Sequence, residues 1–342
     1  MEPRYTPVLL PLLKTVRKVV VSCHADPDGD AVAGMLALSR SLKKARWDVR
    51  LISPGPVPRA YRFLPGWEDV EVYRQERIEM PDGIAVRDAF RGAEAIICLD
   101  CSDLSRLGPL YSGNTRKFES TPVVNIDHHP TNSRFGRVNL VDTSAAATCE
   151  ILSVLMENED LPVDEEVATS LMMGILTDTL GFRTPATSAR TLRVAAALME
   201  RGASLSRISE RIFNSRSPRT LQLWGRVLSR TQVDGRLVWS EITSEMLAEC
   251  GATLEDADML VDFIAGVPQT DAAFLFSEQG GMVRVSMRTS EALNAATVAK
   301  RFGGGGHARA AGCTLEGSMS DVETRLMNEA RERLGMAAEG DR

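Results

Sequence analysis

Val19-Val20-Val21-Ser22-Cys23-His24-Ala25-Asp26-Pro27-Asp28-Gly29-Asp30 is the stretch that decides the fold. The β-branched run reads as a strand over 18–23. The polar turn after it opens a helix over 30–44, with Val32, Met35, Leu36 and Leu42 on one face. Two more apolar runs end in the same manner. Ala95-Ile96-Ile97-Cys98-Leu99 stops at Asp100, and Val123-Val124-Asn125-Ile126 stops at Asp127-His128-His129. Strands read at 48–53, 94–100 and 122–126, a Pro/Gly-rich stretch at 54–66, and helices at 144–158 and 164–180. This alternation predicts an α/β fold with a parallel sheet covered by helices. The C-terminal strand edges of such a sheet share one crevice, so the polar ends of the three runs should meet there.

The chain has four histidines, and each lies in a dense polar motif. His24 opens the first, His128 and His129 follow Asp127, and His307 follows Gly303 to Gly306. Imidazole and carboxylate are the side chains that bind borderline divalent metals. His24, Asp28 and Asp30 straddle a strand-to-helix turn in which Pro27 and Gly29 let several side chains point to one place. Helix capping would explain one aspartate of this turn, but not three and a histidine. Asp178 sits late in a helix rich in Leu and Met. A carboxylate there is costly unless it is coordinated or hydrogen-bonded, for example to Thr177 or Thr179. Asp28, Asp30, Asp100 and Asp178 together carry a charge of about −4, which two divalent ions would balance. Without them, two carboxylates about 4 Å apart repel by roughly 4 kcal/mol at an effective dielectric near 20. Two ions sharing an aspartate would remove that repulsion and activate water. A mixed carboxylate–imidazole set without thiolate favours Mn²⁺, with Mg²⁺ or Co²⁺ as substitutes.

From 187 to 230 the pattern is helical, broken at Gly202 and Asn214-Ser215-Arg216-Ser217-Pro218, and reads as a connector. Beyond it the character changes. Asp234-Gly235 marks a hairpin, and Gln279-Gly280-Gly281 separates strands at about 271–278 and 282–288. Helices read at 243–250, 255–266, 294–302 and 318–335. The layout predicts two lobes with a cleft between them, the second a smaller α+β unit.

The 342 residues suffice for two cores, and 44% hydrophobic and 25% charged residues suit a globular chain. A net charge of −6 argues against a track for duplex DNA, leaving small polyanions gripped by metals and a few arginines. No apolar stretch is long enough to span a membrane, and the N-terminus lacks a secretory pattern. The six cysteines show no framework spacing, and Cys98-x-x-Cys101 has no second pair to complete a zinc site. These features predict a cytoplasmic protein with no membrane partner and incidental, buried thiols.

Taken together, His24-x-Asp-Pro-Asp28-Gly-Asp30, Leu99-Asp100, Asp127-His128-His129 and Gly174-x-x-x-Asp178 resemble the four motifs of the DHH phosphoesterase superfamily. Val285-Ser286-Met287-Arg288-Thr289-Ser290 and Phe302-Gly303-Gly304-Gly305-Gly306-His307-Ala308-Arg309-Ala310-Ala311-Gly312 resemble its associated substrate lobe. The resemblance covers nearly the whole chain. It implies a DHH catalytic domain over 1–186, a helical connector over 187–230 and a DHH-associated substrate-binding domain over 231–342. It also implies that His24, Asp28 and Asp100 hold one ion, and that Asp30, Asp100, His128 and Asp178 hold the other. His129 would face the scissile phosphate and Asp127 would orient the histidines. Arg288, Ser290, Gly304, Gly305, Gly306, His307 and Arg309 would bind substrate through charge and close backbone approach.

The two-lobe length, with no OB-fold, resembles the NrnA-like branch rather than RecJ-type nucleases. Family II pyrophosphatases share only the first lobe. The implied function is metal-dependent hydrolysis of short oligoribonucleotides, of pAp, or of both. One alternative is a phosphodiesterase for cyclic or linear dinucleotides of the c-di-AMP or pApA type. Another, from a different class, is a non-catalytic nucleotide-binding module, against which the intact ligand set argues. The implied partners are short single-stranded RNA or small nucleotides, with a homodimer left open.

Overall fold

The structure is a computed structural model that describes residues 5, 7, 9–74, 77–79, 85–86, 88–214, 216–306 and 308–336. It divides into two compact units, Met1–Ser215 and Arg216–Arg342. In the first, the strands in chain order are β1 (Lys18–Ser22), β2 (Asp48–Ser53), β3 (Val70–Arg74), β4 (Arg77–Glu79), β5 (Ala85–Val86), β6 (Ala95–Leu99), β7 (Val123–Asp127) and β8 (Val138–Val141). They form one sheet in the order β5-β4-β3-β2-β1-β6-β7-β8. The six strands from β3 to β8 along that order run parallel, while β4 and β5 pair antiparallel at the edge.

The chain winds outward from β1 through β2 to β3, then returns to the other side of β1 at β6. The sheet therefore reverses its winding between β1 and β6, and the C-terminal edge at such a switch point is a natural crevice. Both strands there are apolar on both faces, as buried parallel strands must be. Val19, Val21, Ala95, Ile97 and Leu99 join the core beneath helices Gly29–Lys44, Thr148–Asn158 and Glu165–Asp178. Val20, Ile96 and Cys98 turn the other way, towards Phe90, Leu110 and Phe118.

The remaining strands, β9 (Gln232–Asp234), β10 (Leu237–Ile242), β11 (Ala272–Gln279), β12 (Met282–Thr289), β13 (Gly305–Gly306) and β14 (Ala310–Glu316), make a second, mixed sheet. Its order is β13-β14-β12-β11-β10-β9, with only β10 and β11 parallel. Helices Ala295–Arg301 and Met319–Leu334 cover one face through Val298 and Leu326. Helices Pro218–Leu228, Ser244–Cys250 and Leu260–Ile264 cover the other through Leu223, Met246 and Leu260.

Several boundaries depart from the sequence reading for local reasons. The helix expected at 144–158 starts at Thr148, because Asp142 binds the Ser144 amide and hydroxyl in a turn and Ala147 is extended. The helix expected at 164–180 ends at Asp178, where Leu180, Gly181 and Phe182 all take positive φ. The helix expected at 255–266 is broken, with Met259 at φ 67° between a 3₁₀ turn and Leu260–Ile264. The stretch read as a connector is shared between the units. Val194, Leu198 and Ile208 pack in the first, while Leu223 and Val227 pack in the second. Strand β14 was not foreseen, although Ala311, Cys313 and Leu315 alternate inward with period two.

Candidate metal centre

Each predicted ligand of the first unit stands at the end of an element on the switch-point edge. His24 lies two residues beyond β1, and Asp28 is the N-cap of Gly29–Lys44, its side chain accepting the Ala31 amide at 3.0 Å. Asp100 follows β6 directly with φ 53°, a left-handed conformation that bends the chain sharply. Asp127 is the last residue of β7, and Asp178 is the last of Glu165–Asp178. Gly174 makes room for this arrangement. A Cβ there would lie 2.7 Å from Asp30 Oδ1, so the helix can press against that carboxylate only without a side chain.

The side chains converge on Asp100. Its Oδ2 is 3.5 Å from His24 Nε2, and its Oδ1 is 3.5 Å from both His128 Nε2 and His129 Nδ1. His24 Nε2 also lies 3.7 Å from Asp28 Oδ2, and His128 Nε2 lies 3.2 Å from Asp178 Oδ2. Three overlapping groups result, each with its ligand atoms within 4.8 Å of one another: His24, Asp28 and Asp100; Asp30, His128 and Asp178; Asp100, His128 and His129. Asp127 stands apart from these groups. Its Oδ1 accepts from His129 Nδ1 at 2.7 Å and from the His128 amide at 2.9 Å, and its Oδ2 accepts from Asn132 at 2.5 Å.

The electrostatics suit a cation. Among the described residues no Lys or Arg is paired with Asp28, Asp30, Asp100, Asp127 or Asp178. Burial, with the Asp100 charge added, holds the Asp30 carboxyl up to about 7. Burial raises Asp178 well above the ordinary range, reinforced by Asp30, Asp28 and Asp100. Burial works against ionisation of Asp100 as well, yet the His24 hydrogen bond and the charges of His129 and His128 hold it below the usual range. His24 is pushed up to about 10 because Asp100 and Asp28 outweigh the effect of burial. His129 is raised in the same way by Asp127 and Asp100. Asp30 and Asp178 are thus held towards their neutral forms by burial and by the neighbouring carboxylates, and a buried set of carboxylates and imidazoles of this kind fits divalent cations.

Sequence reasoning missed the groups that hold this set. The Thr148 and Cys149 amides donate to Asp30 at 2.6 and 3.0 Å, and the Thr148 hydroxyl donates to Asp100 at 3.1 Å. Asn132 also reaches Asn125 Oδ1 at 2.7 Å and the Cys101 carbonyl at 3.1 Å. Asn125, a polar residue inside an apolar strand, was the visible signal; Asn132 had none. Cys98 and Cys101 are buried free thiols, with burial pushing Cys101 up to about 12 and Cys98 well above its usual value.

In the second unit, the predicted substrate residues bind their own neighbours. Arg288 forms a fork with Asp262 at 2.6 and 3.1 Å. The Ser290 hydroxyl donates to Asp271, and Arg309 donates to the Ser290 and Leu293 carbonyls. Gly304 and Gly306 face β14: a Cβ at 304 would fall 2.5 Å from Cys313 Cβ, and one at 306 would fall 2.6 Å from Ala311 Cα. Gly305 faces open space. His307 lies outside the described residues. No helix among the described residues is long and apolar enough to cross a membrane.

The model of the DHH family N-terminal domain matches residues 18–175, and that of the DHHA1 domain matches residues 242–336. The bifunctional oligoribonuclease and PAP phosphatase NrnA of Thermus thermophilus is 33% identical over 98% of this chain and 97% of its own. The Bacillus subtilis protein of the same name is 23% identical over 90% and 94%. The crystal structure of an exopolyphosphatase-related protein from Bacteroides fragilis shares the fold, with a TM-score of 0.83, 23% identity and coverage of 95% and 94%.

Proposed function

The chain belongs to the DHH family, and from that membership we propose that it is a metal-dependent phosphoesterase hydrolysing short oligoribonucleotides and pAp. The observation that carries this reading is the overlap of three His/Asp groups on Asp100 and His128 at the switch point. The names of the Thermus thermophilus and Bacillus subtilis relatives support the choice of substrate.

In this reading His24, Asp28 and Asp100 would hold one divalent ion. Asp30, Asp100, His128 and Asp178 would hold a second. Mn²⁺ suits the donor set best. When bound, such a pair supplies positive charge to the phosphate and activates water. The chain's own groups do the rest. Asp127 takes the His129 Nδ1 proton in a hydrogen bond and so fixes the ring, leaving Nε2 to face the scissile phosphate. Because Asp127 and Asp100 raise its pKa, His129 is suited to donate a proton or hydrogen bond to charge developing on the phosphate or leaving oxygen. Residues 1–186 thus carry the chemistry. Residues 231–342 supply the grip through Arg288, Ser290, Gly304, Gly305, Gly306, His307 and Arg309.

The test is a panel of pAp, RNAs of about two to five nucleotides, longer RNA and cyclic dinucleotides, each with Mn²⁺ and with excess EDTA. Hydrolysis should be fastest on the shortest RNAs and on pAp, and should vanish in EDTA, because an acidic chain offers little purchase on a long polyanion. Undiminished processive digestion of long strands, or a preference for cyclic dinucleotides, would overturn the substrate assignment. No turnover of any substrate with Mn²⁺ would leave a binding module instead.

A further inference from the structure

One short stretch, 145–149, touches three of the clustered side chains. The Ala145 carbonyl is 3.4 Å from His128 Nδ1. The Thr148 and Cys149 amides hold both oxygens of Asp30, and the Thr148 hydroxyl holds Asp100. A part-buried charge network anchors this stretch from its far side. Glu150, fully buried, accepts from the Ala146 amide at 3.0 Å and the Thr191 hydroxyl at 2.8 Å, and is ion-paired with Arg190 Nε. Arg190 Nη1 reaches on to Asp142 Oδ2 at 2.8 Å. Asp142 also accepts the Tyr5 hydroxyl at 2.6 Å, and its backbone amide donates to the Asp127 carbonyl at 3.1 Å.

Arg190 comes from helix Ala189–Glu200, which contributes no side chain to the cluster itself. A buried ion pair is a weak source of net stability, because desolvation offsets most of its attraction. What a fork between two fixed carboxylates does supply is geometry. Arg190 ties the turn at 142 to the first turn of Thr148–Asn158, so the amides between them stay aimed at Asp30.

We propose that Arg190, acting through Glu150 and Asp142, is a positioning residue for the metal centre, setting 145–149 so that Asp30, Asp100 and His128 keep their ligating geometry. The inference rests on the metal reading above. Outer groups of this kind typically change metal affinity or activity by about 10–100-fold.

The experiment compares the full chain with R190Q, R190K and D142N. It measures Mn²⁺ affinity by calorimetry, kcat and KM on a dinucleotide, unfolding temperature in EDTA, and amide exchange of 145–149 without metal. R190Q should weaken Mn²⁺ binding about tenfold or more and lower kcat, with KM changed less than about twofold; R190K should fall between it and the parent. A lower unfolding temperature in EDTA with parental Mn²⁺ affinity would mean a merely structural role and would overturn the proposal. Should R190Q not fold, D142N decides, since it weakens one arm of the fork at constant shape. A loss of Mn²⁺ affinity supports the proposal, and parental affinity overturns it. If the parent itself bound no divalent ion, the metal reading would fail. Amide exchange would then judge the inference separately: faster exchange at 145–149 in R190Q supports it, and unchanged protection overturns it.

Discussion

In the first unit Asp28, Asp30, Asp100 and Asp178 gather around His24 and His128, with no Lys or Arg paired to them among the described residues. In the second unit Arg288 is forked onto Asp262, Ser290 is bound to Asp271, and Arg309 is bound to backbone carbonyls. The first set has only histidines to offset its carboxylates, which suits it to take up cations. The second is internally satisfied, so any ligand must exchange with a partner already present. Binding at the first site relieves like-charge repulsion, whereas binding at the second pays only the difference between two hydrogen-bonded states.

The largest effect should come from removing the point of convergence. D100A should lose more than about a hundredfold in kcat/KM, beyond the usual range for outer-shell changes, and should lose a bound ion while the fold survives. Two ions per chain and near-parental turnover would break the assignment of Asp100 as the shared ligand.

Next comes R288A. A charge-assisted hydrogen bond is worth about 1.5–3 kcal/mol, but substrate must displace Asp262 to gain it, so kcat/KM on a short oligoribonucleotide should fall by at most roughly ten- to a hundredfold with Mn²⁺ stoichiometry unchanged. A small activated phosphodiester should be cleaved almost as well as by the parent. Equal losses on both substrates would erase the contrast between the two units. R309A should behave the same way.

G174A tests the tightness of the first site. Overpacking typically costs about 1–3 kcal/mol, and here the added methyl would meet Cys149 Sγ first and then Asp30 Oδ1. Thermal unfolding should show that loss, and Mn²⁺ affinity should fall with it. Full stability would mean the helix can move away freely.

The smallest effect is a slope with pH. Asp30, held up to about 7, binds its proton more tightly folded than unfolded, as does Asp178, so metal-free stability should fall as pH rises from about 4 through about 7. The raised His24 acts in the same direction: its contribution is complete below 6.5 and is lost as pH rises through about 10. The unfolding temperature in EDTA should therefore drop between pH 5 and 8, by about 2–4 °C per kcal/mol for a unit of this size, and Mn²⁺ should flatten the slope. A slope of the opposite sign would show that the carboxylates are not mutually destabilising.

Most of the candidate cluster was legible because its residues are announced locally. An apolar run ending in Asp or His at a strand edge has few structural uses, and three such runs in one chain converge wherever a parallel sheet brings their ends together. Thr148, Glu150, Asn132 and Arg190 were not legible. Each is an ordinary polar residue; Thr148, Glu150 and Arg190 find partners about forty or more residues away, Asn132 reaches across a turn, and no periodicity marks such pairings.

The sequence by itself determined the α/β alternation, the identity of the candidate ligands and the strand-end positions that bring them together. Hydrophobic period and turn chemistry are local properties, and these features depend on little else. Tertiary structure decided the strand order that puts β1 beside β6, the closeness of Glu165–Asp178 that presses Gly174 against Asp30, and the partners that hold Arg288 and Arg309. Those depend on packing between segments tens of residues apart, where burial and the pairing of buried charge select one arrangement among many that the local pattern allows.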